Sequence, residues 1–153
     1  MKSKKGLTLI ELLVVMAILG LLSTVAFSQY RTSQQKARDA KRKADLDNIA
    51  RALEMYYNDN QSYPTASLDG KIMGISWGSE FSKTYGTQTV IYMKELPKDP
   101  AANWHYCYES NGSYYKLFAK LENNKDPSYN PSGYSCGGDN TYRYGVRSAN
   151  VSL

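Results

Sequence analysis

From Leu7 to Phe27 the chain is apolar at almost every position, and Glu11 is the single charged side chain in that run. Its 21 residues, at 1.5 Å each, make a helix of roughly 31 Å, the hydrocarbon thickness of a bilayer. From Ser28 to Tyr57 the pattern changes. No Gly or Pro occurs there, and Leu46, Ile49, Ala50, Leu53, Tyr56 and Tyr57 recur at three- and four-residue spacing. That spacing marks one face of an amphipathic helix. The first proline is Pro64, so both segments can run as one helix of about 50 residues, roughly 75 Å long.

Beyond Tyr57 the pattern is that of turns and short strands. The stretch "WHYCYESNGSYYKLFAKL" alternates aromatic and polar residues on either side of Asn111-Gly112. Such a dipeptide predicts a hairpin closed by a type I′ turn. Trp104, Tyr106 and Tyr108 fall on one strand face, His105 and Cys107 on the other. A third strand is expected over 140–147. Between them, "NNKDPSYNPSGYSCGGDN" is rich in turn formers. The expected architecture is α+β: a long N-terminal helix, membrane-spanning in its first half and amphipathic in its second, packed on a small antiparallel sheet. The divisions are 1–6, 7–27, 28–57 and a globular part from 58 to 153.

Charge narrows the function. The chain carries 19 Lys+Arg against 14 Asp+Glu. Lys2, Lys4 and Lys5 hold most of that excess, and without them the balance is 16 to 14. Nucleic acid is therefore not an indicated partner. The cluster "KARDAKRKAD" reads as a solvated helix face threaded with i,i+4 pairs: Asp39–Lys43, Lys41–Asp45, Lys43–Asp47 and Asp47–Arg51. One His and two Cys are too few for a zinc site, and no nucleophile triad, carboxylate pair or phosphate loop stands out. The reading is a structural protein with no catalytic residues.

The three lysines ahead of the apolar run predict a cytoplasmic N-terminus and export of the rest. An even pair of cysteines in an exported chain favours one disulfide, Cys107 to Cys136, over two separate buried thiols. A cleavable export signal would need small residues after the apolar run, and "LLSTVAFSQY" supplies Ser and Ala. A plain membrane anchor fits as well. Neither accounts for Glu11, because a charge in a membrane helix costs on the order of 2.5–3.5 kcal/mol and signals a partner. A leader lysine is one such partner.

A basic leader ending in Gly6, followed by "LTLIELLVVMAILGLLSTVAF", resembles the N-terminus of type IV pilins and type II secretion pseudopilins. The resemblance implies that a prepilin peptidase cuts between Gly6 and Leu7 and that Leu7 is N-methylated. It also implies that Glu11 serves assembly by meeting the new α-amine of a neighbouring subunit. Leu7 stands where phenylalanine is usual, and the mid-helix proline of many type IV pilins is absent after Gly20. "YYNDNQSYP" and "YMKELPKDP" look like the corresponding segments of type II secretion pseudopilins and some related bacterial pilins. The implied partners are a homo-oligomeric filament, the peptidase, an inner-membrane assembly platform, and lipid before assembly. The implied location is a single pass in the inner membrane, then an extracellular or periplasmic filament.

Between the branches, those C-terminal segments lean toward a pseudopilin and the disulfide near the C-terminus toward a surface pilus, which is placed first. The alternatives are a major pseudopilin, or a minor or uptake pilin whose tyrosines bind DNA or a surface. Major pseudopilins hold calcium in a C-terminal loop, and Asp126, Asn130, Asp139 and Asn140 are oxygen donors in a comparable region. Turn-forming side chains explain those residues first, so no metal site is assigned.

Overall fold

The computed structural model describes Gly6 and residues 8–153. One helix, α1 (Leu9–Asn60), carries the first 52 described helical residues without a break, about 78 Å at the α-helical rise. It passes straight through Gly20. It starts on Thr8, whose extended backbone makes it the N-cap. It stops at Gln61, which turns into the left-handed region at φ 55° and donates its N–H to the Tyr57 carbonyl.

Seven short strands follow. β1 (Phe81–Tyr85) and β2 (Gln88–Met93) form a hairpin. β3 (Cys107–Ser110), β4 (Tyr115–Ala119) and β7 (Tyr144–Arg147) form an antiparallel sheet in the order β3-β4-β7. β5 (Tyr134–Cys136) and β6 (Asp139–Tyr142) form a second hairpin. The fold is a long helix on small antiparallel sheets, the α+β arrangement that the periodicity predicts.

The C-terminal half of α1 supplies the core face. Leu46, Ile49 and Leu53 are fully buried and Tyr56 nearly so. Burial of each such aliphatic side chain is worth about 1.5–3 kcal/mol. They meet Leu96, Tyr106, Tyr108 and Leu117, and an aromatic cluster in which Tyr56, Phe81 and Tyr92 lie 5.1–5.6 Å apart between ring centroids. Because strand side chains alternate, Cys107 and Phe118 point away from the helix. There they form a smaller core with Cys136 and Tyr142. A disulfide joins Cys107 to Cys136 across 29 positions.

Three expectations need correcting. Asn111-Gly112 does not form a type I′ turn. Ser110 pairs with Tyr115, which leaves a four-residue loop, and Asn111 Oδ1 accepts from the N–H groups of Ser113 and Tyr114. The asparagine side chain organises the loop itself. Consecutive positive φ values instead occur at Gly137 (58°) and Gly138 (82°), between β5 and β6. Secondly, the strand over 140–147 is two strands. β6 pairs with β5 and β7 with β4, and the chain changes sheet at Arg143, whose N–H donates to the Ala119 carbonyl. Thirdly, the β1–β2 hairpin has no counterpart in the sequence-based expectation. Of its residues only Phe81 and Tyr92 are buried.

Candidate assembly site

The first turn of α1 resolves part of the problem that Glu11 poses. Glu11 Oε2 accepts from Thr8 N at 2.8 Å and from Thr8 Oγ1 at 2.7 Å, while Glu11 N donates to Thr8 Oγ1 at 3.3 Å. This is a reciprocal capping box. The Thr8-x-x-Glu11 spacing is its signature, a signal present in the sequence that the membrane-charge argument passes over. The carboxylate satisfies two donors at the helix end, and it sits where the helix dipole favours negative charge. It remains exposed, and its hydrogen bonds among the described residues fall on Oε2.

Gly6 is exposed, and no atom lies within 4 Å of where a Cβ would stand. Leu7, Lys2, Lys4 and Lys5 lie outside the described residues.

From Leu9 to Leu22 the large apolar side chains are exposed all round the helix, Leu9 at 82% and Leu21 at 69%. Among the described residues α1 is the one helix long and apolar enough to cross a membrane. Its own domain covers none of that surface, which needs lipid or other helices. The apolar run closes at Phe27, where the Arg31 guanidinium carbon stands 5.9 Å from the ring centroid.

Below the core face, α1 is seated by charge. The cluster over 36–45 is not the solvated face that its composition suggests. Asp39 and Arg42 are buried, and the i,i+4 pairs give way to partners from distant loops. Arg42 forks onto Asp99 at 2.8 and 2.9 Å, and its third nitrogen meets Asp39 at 2.7 Å and Glu122 at 2.9 Å. Asp39 in turn accepts from the N–H groups of Glu122 and Asn123. Trp104 covers the guanidinium, with its ring centroid 4.6 Å from Cζ. Arg38 binds Glu122 from the outside. Burial opposes the charge on Arg42, yet the hydrogen bonds to Asp99 and Glu122 outweigh it and hold the group above its ordinary pKa. The Arg38 hydrogen bond does most to hold the Glu122 carboxyl below the usual range. Asp45 accepts from the Tyr106 hydroxyl at 2.7 Å rather than pairing with Lys41.

Three of the four oxygen donors named for the C-terminal region, Asp126, Asn130 and Asp139, have their side chains engaged. Asp126 Oδ1 lies 2.5 Å from Lys43 Nζ, and Asp139 Oδ2 lies 2.7 Å from Lys120 Nζ. Asp126, Asn130 and Asp139 each accept the backbone N–H two residues on, closing Asx turns at 128, 132 and 141. The Lys120 hydrogen bond, then that of Thr141, lowers Asp139 to about 2. Among the described residues no cluster of three or more His, Cys, Asp or Glu could hold a metal ion. With a lysine on each carboxylate, this donor set does not fit a calcium ion.

Comparison with known proteins adds two family models. "Prokaryotic N-terminal methylation motif" matches residues 1–27, and "Type II secretion system (T2SS), protein G" matches residues 29–125. The chain is 33% identical to the type II secretion system core protein G of Vibrio cholerae serotype O1, over 73% of this chain and 75% of that one. It is 34% identical to the protein of that name from Pseudomonas aeruginosa, over 67% and 71%. With the one from Dickeya chrysanthemi it shares 28% identity over 86% and 80%. No solved structure matches.

Proposed function

Because the chain belongs to the type II secretion system protein G family and carries a prokaryotic N-terminal methylation motif, we propose that it is the major subunit of a secretion pseudopilus. A prepilin peptidase cuts the chain after Gly6 and methylates Leu7. The apolar half of α1 holds the subunit in the cytoplasmic membrane and then packs against the same segment of other subunits in a periplasmic filament. An inner-membrane platform extracts it, and removal of the three leader lysines lightens that step.

The observation that carries this reading is the join of both family matches on one unbroken helix. The methylation motif ends at 27 and the protein G match begins at 29, and α1 runs through both. A rigid rod then links a membrane segment, exposed on all sides, to a domain that sits on its other half.

In the assembled bundle Glu11 and the Leu7 amine of a neighbour form one pair where the membrane held two unfavourable charges. A neighbour out of register leaves both unpaired, so the pair selects register more than it adds stability. The family match favours the pseudopilus over the surface pilus that the disulfide alone would place first.

Deletion of the gene in the native host tests the choice. Secreted proteins should accumulate in the periplasm, and a plasmid copy should restore their release. Intact secretion together with loss of surface fibres would assign the chain to a surface pilus instead.

A further inference from the structure

The protein G match stops at residue 125, and the next residue, Asp126, begins a segment that is tied down at several points. Asp126 is held by Lys43 of α1 at 2.5 Å. Asp139 is held by Lys120, just past β4, at 2.7 Å. Cys136 is bonded to Cys107 of β3, and Tyr134 stacks on Phe118 of β4 at 5.2 Å. Three separate parts of the domain thus grip the stretch from Asp126 to Asp139, by two ion pairs, one covalent bond and one ring stack.

We propose that Lys43 and Lys120 are built-in counter-cations for this segment. It therefore keeps its shape without a divalent ion and depends instead on its disulfide. A divalent cation needs several oxygen ligands turned toward one point. Here each carboxylate already faces an ammonium group within hydrogen-bond distance, and its local geometry is set by an Asx turn. A cation at either aspartate would have to displace a tethered lysine that is always present at high effective concentration. The ammonium groups are carried by α1 and by the residue that follows β4, so each does what a bound ion would do and also dictates where the segment sits. The covalent tie closes a loop of about 30 residues, which restricts the unfolded chain.

The test is thermal unfolding of the full processed chain in detergent micelles, with chelator or with calcium chloride, and with or without a thiol reductant. The melting midpoint should be the same in chelator and in calcium. Lys43→Ala and Lys120→Ala should each lower it by about 1–4 °C in both buffers. The exchange Lys120→Asp with Asp139→Lys should recover most of that loss. Reductant should lower the midpoint by about 10 °C or more. A rise of several degrees on adding calcium to the wild-type chain would overturn the proposal. So would lysine variants that melt like the wild type. The readout is unfolding of the purified subunit, so it stands or falls separately from the choice of pseudopilus or pilus.

Discussion

The proposed function gives Glu11 a second task beside the one seen in the structure. Within the chain it closes the capping box with Thr8. In the filament it would meet the amine created by cleavage one residue before Thr8. The intrachain bonds leave the carboxylate partly satisfied, and they hold it at the end of the helix where the proposed cleavage would create that amine. Glu11→Ala should leave cleavage largely intact, because Gly6 and the leader are untouched. It should fray the first turn, at a cost of about 1 kcal/mol, and reduce filament yield severely. Pull-down of assembled pseudopili alongside immunoblotting of processed subunit separates these effects. Wild-type filament yield from the variant would remove this account of the charge.

At the scale of elements, α1 was legible where its partners are its own neighbours in sequence. Leu46, Ile49, Leu53 and Tyr56 declare a buried face because three- and four-residue spacing is local information. The ionic seat was not legible for the same reason. Arg42 looks like one more base in a charged run, and what buries it is Asp99, 57 positions away, with Glu122, 80 away. The paired cysteines were legible from their number and from export. The I′ turn was misplaced because Asn111 has a side chain able to bond its own loop, whereas Gly137-Gly138 has none. The split at Arg143 depends on which sheet offers an edge, and no local pattern carries that.

The seat also yields a stability test. Arg42→Ala should destabilise the domain by about 3–5 kcal/mol, since it strands Asp99 and Asp39 in the interior without their cation. Arg42→Lys should recover only part, because one ammonium cannot fork onto Asp99. Denaturant unfolding of the processed chain measures both. A loss below about 1 kcal/mol for Arg42→Ala would mean that the seat contributes little.

For the whole molecule, two halves of one helix have opposite needs. From Leu9 to Leu22 the large apolar side chains are exposed, and among the described residues the globular domain covers none of them. The half from Asp39 to Tyr56 is committed to the domain through Arg42 and the core face. A subunit built this way can leave lipid for a helical bundle without repacking its domain, because nothing in the domain rests on the apolar half. The family resemblance in the first 27 residues was readable from the basic leader, Gly6 and Glu11. The branch of the family was not, since it depends on the residues from 29 to 125, whose segments resemble both branches. The central claim is that the chain is a processed prepilin, and the mature N-terminus of the native protein tests it most directly. Intact-mass and N-terminal peptide mass spectrometry should find a chain that begins at methylated Leu7, and a Gly6→Ala variant that keeps its leader. A native chain that begins at Met1, or after Ala26, would contradict it.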